Sequence, residues 1–468
     1  MTLLHPHRFR AGLIATTALL LAAGVAQAQT FPAPDKSFDG SIRFAAAEQG
    51  RPILPGAEVV AAGQGFKPGQ TVRVLHGATA VTGELTADAE GKVEARFRLP
   101  ADAAVGVHPL VVVSTGPYGA AVSELKVSPD LPVMGVERYD VRRGEAARGL
   151  YQSAYSAKNN AVFVTSAVGR PPVRQSELLR MNADTLAIEA RITPAAAPGR
   201  PGRDGQVQDG GVFAVYGVGV DDAHDTVWVT QSRQNTVAVY RQSDLSLVRQ
   251  FEPGTVNHAR DVVIDASQNK AYVSATFEPE VVVFDTARRE VARRIAIASA
   301  ARGGRFSAAS LSMNPTAHRL YVVSNSTNEV AVIDTRTDTV LKVLPVPGAR
   351  GAIGVSHDPQ TGRIFVAAQG TDNVVVLDGE SGAVIADTPV GAGALNVAFD
   401  PVSRQAFVAN RGSSTIAVVN ADGRLVANFG GAPQANHVAA GARGVFYAVT
   451  KGGDQDDANT VWRIQPRR

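Results

Sequence analysis

The chain has 468 residues, 46 basic and 43 acidic side chains, and a formal net charge of +3. It contains no cysteine, which excludes a disulfide framework and a lipid-modified N-terminal cysteine. Its 45 glycines and 26 prolines favour many turns and short strands over long helices.

Residues 1–28 are arranged like a secretory signal peptide. Arg8 and Arg10 precede the apolar run AGLIATTALLLAAGVA, which is too short to span a membrane as a helix. Ala26 and Ala28 then supply small residues at the −3 and −1 positions of a cleavage site. We therefore expect an exported, periplasmic protein with no membrane span after cleavage. The alternative for this stretch is a membrane anchor.

Residues 29–127 differ from the rest of the chain in the spacing of their predicted strands and turns. Short alternating runs such as GKVEARFRLP and VHPLVVVST follow one another at the spacing of a β-sandwich. The sequence predicts an immunoglobulin-like β module, although it lacks the Cys…Trp…Cys core. This pattern of short strands and turns resembles the small immunoglobulin-like modules that bacteria append to exported proteins. Pro129 and Pro132 then stiffen a linker at 128–134.

A repeat occupies residues 135–468. One aromatic residue marks each unit near the start of an apolar run, at intervals of 65, 44, 49, 44, 42 and 40 residues: Phe163, Trp228, Tyr272, Tyr321, Phe365, Phe407 and Tyr447. The fifth unit reads as four strands, AIGVSHD, RIFVAAQ, NVVVLDG and AVIADTPVG. Four strands per unit at this period predict a seven-bladed β-propeller, so the fold class is all-β.

The last unit supplies three strands before the chain ends, which would leave an exposed edge in an open ring. The stretch GVERYDV at 135–141 precedes the first unit and has no sheet of its own. We expect it to be the outer strand of the last blade. Asp285, Asp334, Asp378 and Asn420 each end a third strand, where we expect them to form turns rather than to act as catalytic groups.

Three features carry a family resemblance: YQSAYSAKNNAVFVTS in the first unit, third strands of the type VAVID, and the final run from NHVAAG to VWRI. In these, residues 137–468 resemble the YVTN-type, YncE-like seven-bladed propellers of the periplasm. Of the YVTN tetrad, FVAN at 407–410 retains the asparagine, and the other units replace it. The resemblance implies no agreed enzymatic activity, and DNA binding has been proposed for some members.

The loops that enter the first strand, and those between the second and third strands, share one face of a propeller, here called the top. The candidate ligand site is the channel mouth on that face, with Arg148, Tyr151, Tyr216, His258, Arg260, Arg305, Arg350 and His437. Further top-loop arginines are Arg170, Arg174, Arg233, Arg302 and Arg411. Arginines would bind carboxylate or phosphate, and tyrosines would offer stacking platforms.

The alternative is that these arginines are solvated. Acidic residues are expected on the same face: Asp209, Glu278, Glu280, Glu329 and Asp372. Residues 135–468 hold 35 basic against 32 acidic side chains, which is not the strong basic surface of a dedicated nucleic-acid binder.

We therefore expect a monomeric, cofactor-free binding protein without catalytic residues or a metal site. Its partner would be a small anionic ligand, DNA or an envelope protein. The alternatives are an envelope scaffold and a metal-dependent propeller hydrolase or lyase of the lactonase type. The enzyme would need acidic and histidine ligands in the channel, where the repeat places Ala309, Ile353 and Leu395.

Two weaker metal patterns remain. His258 and His437 could meet across the mouth, although loop histidines are the simpler interpretation. Asp454, Asp456 and Asp457 crowd one loop, but the spacing fails the EF-hand pattern and favours a solvated acidic turn.

Overall fold

A computed structural model describes residues 34–201, 205–452 and 459–467. The expected signal peptide and the acidic loop with Asp454 lie outside these residues. The described chain is almost entirely β-structure, with two short 3-10 helices at Val136–Arg138 and Ala266–Gln268. None of the helices in the described ranges is long and apolar enough to cross a membrane.

The N-terminal part forms two antiparallel sheets. The first contains, in order, Ser41–Ala46, Glu58–Gln64 and Val93–Arg98. The second contains, in order, Thr79–Ala80, Thr71–His76, Gly106–Thr115 and Gly119–Val127, with Leu85–Thr86 paired to Thr71–His76. Alternate side chains of both sheets, such as Val59, Val72 and Val112, are fully buried in one shared core. This part therefore has a hydrophobic core of its own.

Seven four-stranded antiparallel sheets follow, here called blades 1 to 7. Blade 1 contains Leu150–Ser156, Ala161–Val168, Gln175–Asn182 and Ile188–Ile192. Blade 2 contains Val218–Asp221, Thr226–Gln231, Thr236–Arg241 and Leu247–Gln250. Blade 3 contains Ala259–Asp265, Lys270–Ala275, Glu280–Asp285 and Glu290–Ala296. The loop between blades 1 and 2 holds a small extra ladder of Arg200–Pro201 with Val207–Gln208.

Blade 4 contains Ala308–Asn314, Arg319–Ser324, Glu329–Asp334 and Thr339–Pro345. Blade 5 contains Ala352–His357, Arg363–Ala368, Asn373–Asp378 and Val384–Pro389. Blade 6 contains Ala394–Asp400, Gln405–Asn410, Thr415–Asn420 and Leu425–Phe429. Blade 7 contains Ala435–Ala440, Phe446–Thr450, Thr460–Pro466 and Tyr139–Glu145.

The blades form a closed, propeller-like ring. Their first strands contact one another in sequence, and the first strand of blade 7 contacts that of blade 1. Each marker aromatic, from Phe163 to Tyr447, lies on a second strand and is buried in the apolar layers between blades. The prediction of an all-β chain built from repeated four-stranded units is confirmed.

Blade 7 takes its outer strand from the region before blade 1. Tyr139–Glu145 pairs antiparallel with Thr460–Pro466 over seven residues. The expected segment at 135–141 starts too early, because Gly135 has a positive φ of 68° and leads into the 3-10 turn at Val136–Arg138. The pairing gives Thr460–Pro466 a neighbour on each side and joins the two ends of the ring.

The ends of the third strands form turns, as the sequence predicts. Asp378 Oδ1 accepts hydrogen bonds from the backbone N–H groups of Glu380 and Ser381, at 3.1 and 2.7 Å. Asn420 Oδ1 accepts equivalent bonds from Asp422 and Arg424. These side chains replace the backbone partners that a tight turn leaves unpaired.

The N-terminal sheets dock on the top face over blades 5 and 6. Lys126 Nζ lies 2.8 Å from Asp372 Oδ1, and both guanidinium ends of Arg350 donate to the Glu124 carboxylate at 3.0 Å. The linker at 128–134 continues the contact, because Met134 and Asn428 exchange two backbone hydrogen bonds. A cleft of about 590 Å³ remains between the N-terminal sheets and the ring.

Candidate functional site

The first strands of the blades surround the central channel, and their hydrogen bonding decides what lines it. In six blades the register between the first and second strands shifts near the start of the first strand. Such a bulge removes some N–H groups from the ladder. Polar side chains of a neighbouring blade accept hydrogen bonds from N–H groups in three of these strands: Leu311 N to Asp261 Oδ2 at 2.9 Å, Val438 N to Asn396 Oδ1 at 2.8 Å and Ser153 N to His437 Nδ1 at 3.3 Å. The regular first strand of blade 2 has an equivalent bond, from Val218 N to Gln152 Oε1 at 3.1 Å.

The channel wall therefore carries the polar side chains Gln152, Asp261, Asn396 and His437 among apolar ones, which corrects the expectation of mostly small or apolar residues there. Ala309, Ile353 and Leu395 belong to the apolar core around blades 4 and 5 instead. The physical reason is the bulge, because an extra residue changes which side chain faces the channel. A cavity of about 460 Å³ lies among the first strands, and its lining includes Tyr155 and His357 near the ends of the first strands of blades 1 and 5.

Two titratable groups in the channel are shifted toward their neutral forms. Burial, together with the nearby positive charge of Arg260, lowers the pKa of His437 to about 3. Burial raises the pKa of Asp261, although hydrogen bonds from the backbone of Leu311 and Val262 oppose that shift. Both side chains hold neighbouring strands, so we interpret them as structural groups of the channel.

Above the channel, two tyrosines form one wall of the mouth. Tyr151 and Tyr216 lie near the starts of the first strands of blades 1 and 2, and their rings meet edge to face at 4.8 Å. Burial raises the pKa of Tyr216, whose phenol oxygen accepts a hydrogen bond from Arg233. Tyr151 is held in turn by Asn436, whose Nδ2 donates to its carbonyl oxygen at 2.6 Å.

The side chain of Thr230 joins blades 2 and 3 close to the two tyrosines. Thr230 Oγ1 accepts a hydrogen bond from Gly217 N at 2.7 Å and donates one to Arg260 O at 3.1 Å. A side chain at position 217 would collide with this arrangement, because a Cβ there would lie 2.4 Å from Arg260 O. Glycine at this position therefore lets the backbone of Arg260 approach the tyrosine wall.

Cations converge beside the tyrosines. Lys451 Nζ lies 4.4 Å from the centroid of the Tyr151 ring. Burial, and then the positive charges of Arg411 and Arg233, lower the pKa of Lys451 to about 8. Burial, Arg233 and Arg260 likewise lower the pKa of His258. We call Arg233, Arg260, Arg411 and Lys451 the cation cluster.

The predicted site residues separate into two groups. The structure brings Tyr151, Tyr216, His258, Arg260 and His437 to the mouth or the channel directly below it. The other three lie elsewhere. Arg350 binds Glu124 of the N-terminal sheets, Arg305 pairs with Glu278 at 2.7 Å, and Arg148 lines a separate hollow with Arg174.

The acidic residues expected on this face are already engaged. Asp209 pairs with Arg174, Glu278 with Arg305, Glu280 with Arg294 and Asp372 with Lys126, while Glu329 accepts hydrogen bonds from Ser299 and from the backbone of Ala300 and Ala301. Within residues 34–201, 205–452 and 459–467, Arg260, Arg411 and Lys451 form no ion pair.

Lys451 was missed by the sequence analysis. It follows the second strand of blade 7 at the place where Arg411 follows the second strand of blade 6. Aligning FVANR with YAVTK would have identified it.

His258 and His437 are the histidines that the sequence places near the mouth. The described chain contains no group of three or more histidine, aspartate or glutamate side chains placed to hold an ion. His258 and His437 share Arg260 as a neighbour, and its positive charge opposes a cation between them.

Comparisons with solved structures support a propeller-type fold for the ring of blades. No protein-family profile matches the sequence, and no curated protein matches it. Solved structures do: hydrazine synthase of Kuenenia stuttgartiensis matches with a TM-score of 0.54 and 14% identity, over 68% of this chain and 96% of that one. Virginiamycin B lyase from Staphylococcus aureus matches with 0.52 and 9%, over 70% and 99%. U3-55K matches with 0.55 and 9%, over 70% and 98%. At these identities the likeness shows a propeller-type fold alone.

Proposed function

We propose that the protein binds a small organic anion at the mouth formed by the cation cluster and the Tyr151–Tyr216 wall. One observation carries the proposal. The carboxylates expected to neutralise this face pair elsewhere, while Arg260, Arg411 and Lys451 converge without an ion-pair partner among the described residues. Grouping like charges costs free energy, and a bound carboxylate or phosphate would offset that cost.

The mouth also offers apolar contacts to such a ligand. The tyrosine wall packs on buried Val173 and Ala214. Phe277 stacks near His258, with ring centroids 4.4 Å apart, and is 60% exposed. Aromatic faces beside cations suit an anion with a flat or apolar body.

DNA is the partner that the YVTN-type resemblance suggests, and it is the second candidate ligand for the same face. Two of the arginines expected to contact phosphates, Arg305 and Arg350, are held by carboxylates. A compact mouth with three to four cations favours a small ligand over a long polyanion.

The cellular setting belongs to the same proposal. The signal-peptide pattern supports export to the periplasm, the repeat supports kinship with YncE-like propellers, and the strand texture supports an immunoglobulin-like N-terminal module. An enzyme acting at this mouth is the competing proposal.

Calorimetric titration with inorganic phosphate, phenyl phosphate and a single-stranded oligonucleotide of about 12 residues tests these proposals. Loss of one charge-assisted hydrogen bond in Arg411→Gln should weaken phenyl phosphate binding about 10- to 100-fold. Arg305→Gln is the matched control, because this exposed arginine of the same face is already paired with Glu278.

Phenyl phosphate should bind more tightly than inorganic phosphate because its ring can contact the aromatic wall. Equal binding by the wild type and Arg411→Gln would refute the site. Tight, salt-dependent oligonucleotide binding that exceeds binding of both small anions would establish DNA as the partner instead.

A further inference from the structure

Lys451 differs from the other lysines in its electrostatic surroundings. Five of them pair with carboxylates at 2.8 to 2.9 Å: Lys67, Lys126, Lys158, Lys270 and Lys342. Lys451 instead lies over the ring of Tyr151, near enough to Arg411 and Arg233 for their positive charges to act on it, and is partly buried. A carboxylate stabilises the ammonium form of a lysine, whereas neighbouring cations and burial destabilise it.

This environment makes the amine a nucleophile. With a pKa of about 8, about a tenth of the Lys451 side chains carry a free lone pair at neutral pH, against fewer than about one in a thousand for an ordinary lysine. Lysines activated beside another cation form Schiff bases with carbonyl compounds. The same cations would hold an acid group of the incoming molecule within reach of the amine.

We propose that Lys451 forms an imine with a 2-oxo acid whose carboxylate is bound by Arg411, with the charge of Arg233 nearby. This inference rests on the proposed function, since it names the ligand class of the same mouth. The 2-oxo group places an electrophilic carbon one bond from the carboxylate, so one small molecule can meet the guanidinium groups and the amine together.

The step balances without a further reactant. The Nζ lone pair attacks the carbonyl carbon, a proton moves from nitrogen to the new alkoxide, and loss of one water leaves a carbon–nitrogen double bond. No electrons leave or enter the system. In the laboratory, cyanoborohydride delivers hydride to the imine carbon and solvent supplies a proton to nitrogen, which makes the link permanent.

The experiment treats the full chain with pyruvate and cyanoborohydride and locates the carboxyethylated lysines by mass spectrometry. Labelling of Lys451 should exceed that of Lys158, an exposed and ion-paired lysine, at least about tenfold at pH 7. Labelling of Lys451 should level off above about pH 8, whereas that of Lys158 should keep rising.

Lys451→Arg keeps the positive charge and removes the nucleophile. We therefore expect this variant to lose the dominant adduct, and lactate binding by the variant, measured alongside, reports the contribution of the ammonium group to anion binding. Thermal unfolding of the variant, matched to the wild type, establishes that it is folded. Arg411→Gln should reduce both lactate binding and labelling.

Lactate separates the two proposals, because it has the carboxylate but a hydroxyl group in place of the carbonyl. If lactate binds and competes with pyruvate but labelling is spread evenly over the lysines, the imine inference is wrong and the anion site stands. If lactate, pyruvate and phenyl phosphate all fail to bind, the proposed function itself is wrong.

Discussion

The two ion pairs that join the N-terminal sheets to the ring should contribute very unequal free energies. Lys126 and Asp372 form one pair, in which the aspartate side chain is 1% exposed and the lysine 35%. Arg350 and Glu124 form the other, with both side chains about half exposed. The perturbation is Lys126→Met, which keeps the aliphatic stem and removes the charge.

The expected magnitude follows from what Asp372 retains. Without Lys126, its Oδ1 keeps one hydrogen bond, from Gly393 N at 2.7 Å, and its buried Oδ2 has no partner among the described residues. Breaking a fully buried pair costs about 3–5 kcal/mol. Because water reaches the lysine, we expect a loss of about 2–3 kcal/mol in the free energy of unfolding. The bidentate but exposed Arg350 pair should contribute less than about 1 kcal/mol.

Double-mutant cycles measure the coupling energy of each ion pair. The first combines Lys126→Met with Asp372→Asn, and the second combines Arg350→Gln with Glu124→Gln. Urea unfolding followed by tryptophan fluorescence reports the ring, since Trp228 and Trp462 lie in blades 2 and 7. High salt should reduce the second coupling more than the first. A coupling energy for the exposed pair equal to or above that of the buried pair would refute this reasoning.

Three further outcomes are expected. Burial lowers the pKa of His357 to about 4, so below about pH 6.5 the unfolded chain binds a proton at this histidine that the folded chain does not bind. The free energy of unfolding of the wild type should therefore fall by up to about 2 kcal/mol between pH 6.5 and 5. The urea midpoint of His357→Gln should fall less over the same pH range. Deleting residues 139–145 removes the partner of Thr460–Pro466 and should markedly lower the melting temperature; an unchanged melting temperature would mean that the ring does not depend on this strand. Tyr272→Phe removes a buried hydrogen bond to Asp338 of 2.8 Å and should cost about 1–2 kcal/mol in urea unfolding, with a neutral result counting against that bond.

The strand pattern was predictable because it depends on local chemistry. Blade 5 shows this well: the sequence reading of its four strands differs from the observed strands by one or two residues at their ends. Alternating or β-branched runs and one aromatic per unit repeat in every blade, and an Asx turn follows the third strand of blades 1, 3, 4, 5 and 6. Errors in one unit are therefore corrected by the others.

The site was less predictable, and Arg350 shows why. Its place in a top loop was correct, but its partner Glu124 is 226 residues away in the sequence and is brought there by docking of the N-terminal sheets. The channel wall shows a second limit. A bulge in a first strand moves the side chains that follow it to the other face, and alternation alone gives no sign of the bulge.

The sequence alone therefore determined the all-β architecture and the repeated four-stranded unit, because side-chain periodicity and turn residues act over a few positions. The tertiary structure decided which charges neutralise one another and which remain together. Lys451 is an ordinary lysine in the sequence. It becomes a strongly perturbed amine only because ring closure brings blades 1, 2, 6 and 7 together, so that burial, Tyr151 and two arginines act on one ammonium group.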